Sequence, residues 1–308
     1  MKKFMKKIVP IILAACFASF SMAAEYNFIL PNPPGSSSDT VARSIAEEYN
    51  RQTGNNLVID YAPGGDHLVA AAKFKNQSQL AILLGSTTLH VFNYVTKESL
   101  PYSDDDFRHV GWIGWAPHIW YVRSDSRYQS LDDVSSALKK AQRINVGVDG
   151  MSTQSNVMSV RKFRKDGTNM EMIVYKGSPQ ALNDVLGGHV DMAVGGISAV
   201  LTEQADAGKI RILGTTNNKP ATLAGHEVPV SSKALGVEQF NGGFLLSLNA
   251  THANTIEGRK LADDLHRVIN SQIVKDKLSK IGISVDGGDG YYTGRVIQSY
   301  RATVKSLK

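Results

Sequence analysis

The sequence predicts an α/β protein of two lobes, each a mostly parallel sheet flanked by helices, with a cleft between them. Three observations carry this expectation. Short apolar strands alternate with amphipathic helices from Tyr26 onward. The alternation breaks off after Leu84 and restarts at Ile144. No long linker separates the two sets, so short strands must carry the chain from one lobe to the other.

The elements follow in order. Tyr26 to Leu30 reads as an apolar strand, and a Pro/Gly/Ser loop comes next. From about Ser38 to Gln52 the residues Val41, Ile45 and Tyr49 fall on one helix face, and Gly54 stops the helix. Leu57 to Tyr61 is a second strand, Pro63-Gly64-Gly65 a turn, His67 to Lys75 an alanine-rich helix, and Leu80 to Leu84 a third strand. After the restart, Ile144 to Val148 is a strand, followed by a helix from about Gln154 to Arg164. Strands at Met172–Tyr175, Asp191–Val194 and Ile210–Thr215 alternate with helices at Ser178–Leu186 and Ser198–Ala207. The chain from Ile256 to about Ile281, and again from Tyr291 to Ser306, reads as helix. Ile119–Arg123 and Phe244–Asn249 are the candidate crossing strands. The expected division is therefore residues 24–121 with 241–308 as one lobe and 122–240 as the other, hinged at the crossings.

The first 23 residues stand apart. Lys2, Lys3, Lys6 and Lys7 precede an apolar run, and Ser21 and Ala23 occupy the −3 and −1 positions of a cleavage site before Ala24. That layout is a secretory signal peptide and places the mature chain in the periplasm. Leu13-Ala14-Ala15-Cys16 also has the form of a lipobox, which would instead tether the chain by a lipid on Cys16. Cys16 is the sole cysteine, so after ordinary cleavage neither disulfide nor thiol chemistry is available. The leader holds four of the 34 basic residues and none of the 28 acids, so removing it lowers the net charge from +6 to about +2. Without a basic block or interleaved aromatics, the mature chain is not expected to bind nucleic acid.

Pro31 to Asp39 reads PNPPGSSSD. The prolines stiffen this loop, Gly35 permits a tight turn, and three serines open the following helix. Free N–H groups and the positive end of the helix dipole there suit a carboxylate, and the same serines also suit a plain helix cap.

Loop and helix together, FILPNPPGSSSDTVARSIAEEY, resemble the opening of the Bug-type receptors of tripartite tricarboxylate transporters, in which a PFPPGG..D..AR stretch follows the first strand. The likeness continues, in the family order, through Tyr61-Ala62-Pro63-Gly64-Gly65, Leu83-Leu84-Gly85-Ser86-Thr87, Leu100-Pro101-Tyr102 and Ala116-Pro117. It resumes at Tyr175-Lys176-Gly177-Ser178 and at Leu186-Gly187-Gly188-His189-Val190-Asp191.

The resemblance implies a periplasmic binding protein that holds a small carboxylic acid between its lobes and delivers it to the membrane permease subunits of a tripartite transporter. The carboxylate would meet backbone amides and hydroxyls, and a monomer without cofactor or metal is expected. The site residues it implies in the first lobe are Pro34, Gly35, Ser36, Ser37 and Asp39, with Ser86 and Thr87. Asp39 would brace its loop, because a carboxylate repels an anionic ligand. In the second lobe they are Ser152, Thr153 and Ser155, with Tyr175, Lys176 and Gly177. Lys176 could neutralise a second carboxylate or simply stand in solvent.

Two departures from the family pattern bear on the ligand. An acidic residue common in the family is replaced here by Gly195, which argues against an amino-acid ligand. Trp115 stands where the family tends to have a small residue, so a planar acid could stack on it, unless it packs in the core as expected for Trp112 and Trp120.

Other classes fit less well. An exported hydrolase would show Gly-x-Ser-x-Gly or His-Glu-x-x-His, and the chain has neither. A receptor that signals to a membrane sensor kinase would use the same binding chemistry, so the chain alone does not separate sensing from transport.

Overall fold

The computed structural model describes residues 23–150, 169–223, 225–235 and 241–306. The leader up to residue 22, Cys16 included, and the helix expected at Gln154–Arg164 lie outside the described residues.

Two sheets organise the chain. In the first, β1 (Glu25–Leu30), β2 (Asn56–Tyr61) and β3 (Ala81–Ser86) are joined by α1 (Ser37–Thr53) and α2 (Leu68–Lys75). β1 pairs in parallel with both neighbours, Phe28 opposite Ile59 and Ile82. α1 forms because Ser36 caps its start by accepting the Asp39 N–H, and Gly54, at φ 73°, ends it in the left-handed conformation. Its apolar face buries Val41, Ile45 and Tyr49 against the sheet. Each such side chain contributes about 1.5–3 kcal/mol of burial.

β4 (Phe107–Ala116), β12 (Gly242–Asn249) and β13 (Ser284–Asp289) complete this sheet, in the order β13-β4-β12-β3-β1-β2. The second sheet has the order β7-β6-β8-β5-β9. It consists of β5 (His118–Arg123), β6 (Ile144–Val148), β7 (Met170–Val174), β8 (Met192–Gly196) and β9 (Ile210–Thr215). Its flanking helices are α3 (Leu131–Lys139), α4 (Ser178–Gly187) and α5 (Ala199–Asp206). A two-stranded ribbon, β10 (Ala221–Leu223) with β11 (His226–Val228), follows β9.

The sheets are mixed, not mostly parallel. β12 runs antiparallel to β3 and β4, and β5 runs antiparallel to β8 and β9. The reason is the chain path: β12 enters its sheet on the return from the second lobe and β5 enters its own directly from β4 through Pro117, so each runs against its neighbours instead of joining them through a strand–helix–strand unit. β4 and β5 are one extended run interrupted at Pro117, which has no N–H for a ladder. Sheet membership therefore changes at Pro117, four residues before the boundary read from the sequence. Phe244–Asn249 lies wholly within the first sheet.

The C-terminal helix expected from Ile256 to Ile281 is two helices, α6 (Ile256–Ile269) and α7 (Gln272–Ser279), because Ser271 caps a new start by accepting from the Val274 N–H. Both rest on the first lobe, where Lys277 pairs with Glu47 and Arg267 bonds Gln52. α8 (Gly290–Ser306) closes the chain. Among the described residues no helix is long and apolar enough to cross a membrane.

Candidate functional site

Loops that follow parallel strands emerge at the carboxyl edge of each sheet. Here the two edges face one another across a cleft. An inner cavity of about 30 Å³ is lined by groups from both lobes, among them Asn32, Ser37, Ser86 and Thr88 from the first. An outer cavity of about 230 Å³ is lined by Gly64 to His67 on one side and Val174 to Lys176 on the other. His67 and Asp149 line both.

The first-lobe wall is largely self-satisfied. Ser36 Oγ donates to the Pro33 carbonyl at 2.7 Å, and Ser38 Oγ donates to Asn32 Oδ1 at 3.0 Å. Asp39 accepts the Gly35 N–H at 2.8 Å, pairs with Arg43 at 3.0 Å and accepts the Tyr61 hydroxyl. Gly35 sits at φ 81°, a conformation open to glycine, and Pro34 is exposed. Ser37 is the serine of this group that lines the inner cavity. As the first residues of α1, Ser37 and Ser38 have backbone N–H groups without intrahelical acceptors. In the loop after β3, Ser86 Oγ bonds His67 Nδ1 at 2.8 Å. Thr87 turns away to accept the Gly243 N–H at 3.2 Å, and its neighbour Thr88 lines the inner cavity instead.

The second-lobe wall is built on glycine. Gly195 and Gly196 end β8, and a β-carbon on Gly196 would stand 2.5 Å from Ser37 Oγ. One on Gly177, at the start of α4, would stand 2.6 Å from the Pro33 ring. The lobes thus meet where these residues carry no side chain, and the Ala199 N–H reaches Thr40 Oγ1 across the same boundary at 3.4 Å. Tyr175 lines the outer cavity and donates its hydroxyl to Asp184. Lys176 is exposed at the rim of the outer cavity. Ser152, Thr153 and Ser155 lie outside the described residues.

Three titratable groups lie deep in the cleft. Burial lowers His67 to about 4 and His118 to about 3, so both imidazoles are neutral at pH 7. Burial raises Asp149 to about 6, against hydrogen bonds from the Gly196 N–H and its own N–H that favour the charged form. Asp149 Oδ2 would lie 3.5 Å from a β-carbon on Gly195. The absence of an acid at position 195 therefore does not remove the carboxylate from the cleft, because β6 supplies one from the neighbouring strand end. The sequence argument against an amino-acid ligand loses its basis here.

Trp115 lies elsewhere. It packs at a tilt on Trp112, ring centroids 4.8 Å apart, and edge-to-face on Tyr300 at 5.3 Å, against α8 on the outer side of the first lobe. Sequence reasoning missed Asn32, His67, Thr88, His118 and Asp149. Two signals were available: His118 follows the crossing proline, and Asp149 follows an apolar strand directly. A larger groove of about 1050 Å³, lined by Arg108, Arg259 and Arg295, opens at the far end of β4 from Ala116 and takes no part in the cleft.

Comparison with known proteins agrees with this architecture. A 28% identical relative, the UPF0065 protein in the tcbD-tcbE intergenic region of Pseudomonas sp. (strain P51), aligns over 85% of this chain and 78% of its own. The fold is similar to that of an R. palustris protein solved with adipate, at TM-score 0.81, 21% identity and coverage of 92% and 96% of the two chains. It is also similar to MatC from Rhodopseudomonas palustris with bound malate, at TM-score 0.78, 18% identity and coverage of 94% and 99%. The profile of the Tripartite tricarboxylate transporter family receptor, TctC, matches residues 41–307, and the chain belongs to that family.

Proposed function

We propose that the chain is a periplasmic receptor that captures a small carboxylate between its lobes and delivers it to the permease subunits of a tripartite transporter. One observation carries this reading: Ser37, at the positive end of α1, faces a cavity walled by both lobes. Family membership supports it, and so do the adipate and malate bound by two proteins of similar fold. The inner cavity has room for a water-sized group only, so an organic acid enters with the lobes parted and is enclosed as they close.

The test is a thermal-shift screen of the mature protein against mono-, di- and tricarboxylates, aromatic acids, amino acids and neutral sugars. A ligand that binds the folded state raises the unfolding midpoint. Ser37→Trp puts an indole where the inner cavity has room for water alone, so it holds the lobes apart and is expected to abolish the shift. Gly35→Val is a poorer probe, because φ 81° strains valine and would unsettle the loop itself. A shift given by sugars alone, or one that survives Ser37→Trp, overturns the reading.

A further inference from the structure

Two carboxylates face the outer cavity, and their surroundings differ. Asp66 is paired with Lys97 at 3.1 Å. Asp149 has no ion pair among the described residues, and the donors that reach it are backbone N–H groups. Among the described residues, the side chains around it do not supply a positive charge. His67 and His118 are neutral, Tyr175 gives its hydroxyl to Asp184, and Lys176 stands exposed at the rim. The Tyr121 hydroxyl is buried without a hydrogen-bond partner among the described residues and, with its pKa raised by burial, stays protonated. Among the described residues no three acid, histidine or cysteine side chains gather as metal ligands.

A carboxylate placed so deep and met by backbone N–H groups without a cation remains costly to ionise. A plain di- or tricarboxylate in the same cleft would bring like charge against it. Asp149 and Ser37 flank the same Gly195–Gly196 backbone, one bonded to the Gly196 N–H and the other packed over its α-carbon. A single small molecule can therefore touch both. Resting on the carboxylate-receptor reading above, we propose that Asp149 accepts a hydrogen bond from an ammonium group of the ligand, so that the cleft selects an amino acid over the unsubstituted acid of the same carbon skeleton. The carboxylate of that ligand lies at the start of α1 and its ammonium at Asp149.

Matched pairs test this by titration calorimetry on the purified mature chain: L-alanine against propionate, L-aspartate against succinate, L-glutamate against glutarate, and L-phenylalanine against phenylpropionate. The wild-type protein is expected to bind the amino member of at least one pair tenfold or more tightly. Asp149→Asn and Asp149→Ser should each lose that preference while the unsubstituted acid binds as well as before or better. Both variants are checked for an unchanged unfolding midpoint, and the wild-type panel decides the matter even if neither folds. Equal or tighter binding of the unsubstituted acids to wild type overturns the proposal and leaves the receptor reading standing. So does a preference for the amino member that persists in both variants. If no carboxylate of either kind binds, the receptor reading itself fails.

Discussion

Asp39 and Asp149 both lie near the carboxyl edge of a sheet, yet their surroundings are opposite. Asp39 is 5% exposed and holds a loop together through the Gly35 N–H, the Arg43 guanidinium and the Tyr61 hydroxyl. Asp149 is held by backbone N–H groups, faces both cleft cavities, and is pushed up to about 6 by burial. The first acid has its hydrogen-bonding capacity spent inside the protein. The second has acceptor capacity to spare. The same contrast extends to the walls: the first lobe presents a preassembled helix start, and the second presents bare glycine backbone with one carboxylate. Polar groups satisfied within the fold give rigidity, whereas groups left for something else are candidates for recognition.

The largest expected effect breaks the first half of this comparison. Asp39→Ala leaves the Gly35 N–H, Arg43 and Tyr61 without their common acceptor and should cost about 2–3 kcal/mol of stability, read from urea unfolding. Asp149→Asn should cost under about 1 kcal/mol, since it removes a charge that burial already disfavours. Equal losses in the two variants would erase the distinction. Next comes the boundary between the walls. Gly177 has φ 175°, which any residue adopts, so Gly177→Ala leaves α4 unstrained. Its new methyl meets the Pro33 ring, at 2.6 Å, only when the lobes are closed. Ligand affinity should fall tenfold or more while the unliganded unfolding midpoint stays put. A midpoint that falls with affinity unchanged would mean that the glycine serves α4 rather than closure.

Much of the fold was legible because its strands and helices carry their own periodicity. α1, β1 to β3 and β6 lie within two residues of the positions expected. β13 was not legible: Ser284 to Asp289 reads SVDGGD, with no alternation and Val285 as its one large apolar residue, and pairing with β4 makes it a strand. The site was legible where a helix start announces itself, at Ser36 to Asp39. It was not legible where tertiary packing chooses between neighbours. Thr87 and Thr88 are alike in sequence, and a π-helical turn from Thr88 to Phe92 puts the second in the cleft. Asp149 escaped notice because nothing local states that burial surrounds it.

The histidines sharpen the comparison through pH. His67, His109 and His118 all have folded-state values lowered by burial, to about 4, 4 and 3. A lowered base binds its proton later in the folded chain than in the unfolded one, for which about 6.5 is the ordinary value. Stability is therefore full above about 6.5 and is lost as pH falls toward 4, by up to about 1.4 kcal/mol per pH unit for each histidine. Asp149 has the opposite sign: its value is raised, so its contribution grows as pH falls through about 6. His67→Asn, which tolerates the φ of 74° there, should flatten the decline measured by urea unfolding between pH 7 and 4.5. Asp149→Asn should steepen it. Parallel curves for the two variants would mean that these groups titrate alike in the folded and unfolded chains.

The smallest expected effect is an absence. Trp115 departs from the family pattern and could be read as an aromatic platform for a planar acid, but it packs against Trp112 and Tyr300 beside α8. Trp115→Ala should cost about 2 kcal/mol, as truncation of a large packed ring does. Affinity for a planar aromatic acid, measured by calorimetry, should change less than twofold. A tenfold loss of that affinity at unchanged stability would extend the ligand's path from the cleft along β4 and dissolve the division between walls. An unchanged affinity keeps recognition where the unspent groups are, at the start of α1 and at Asp149.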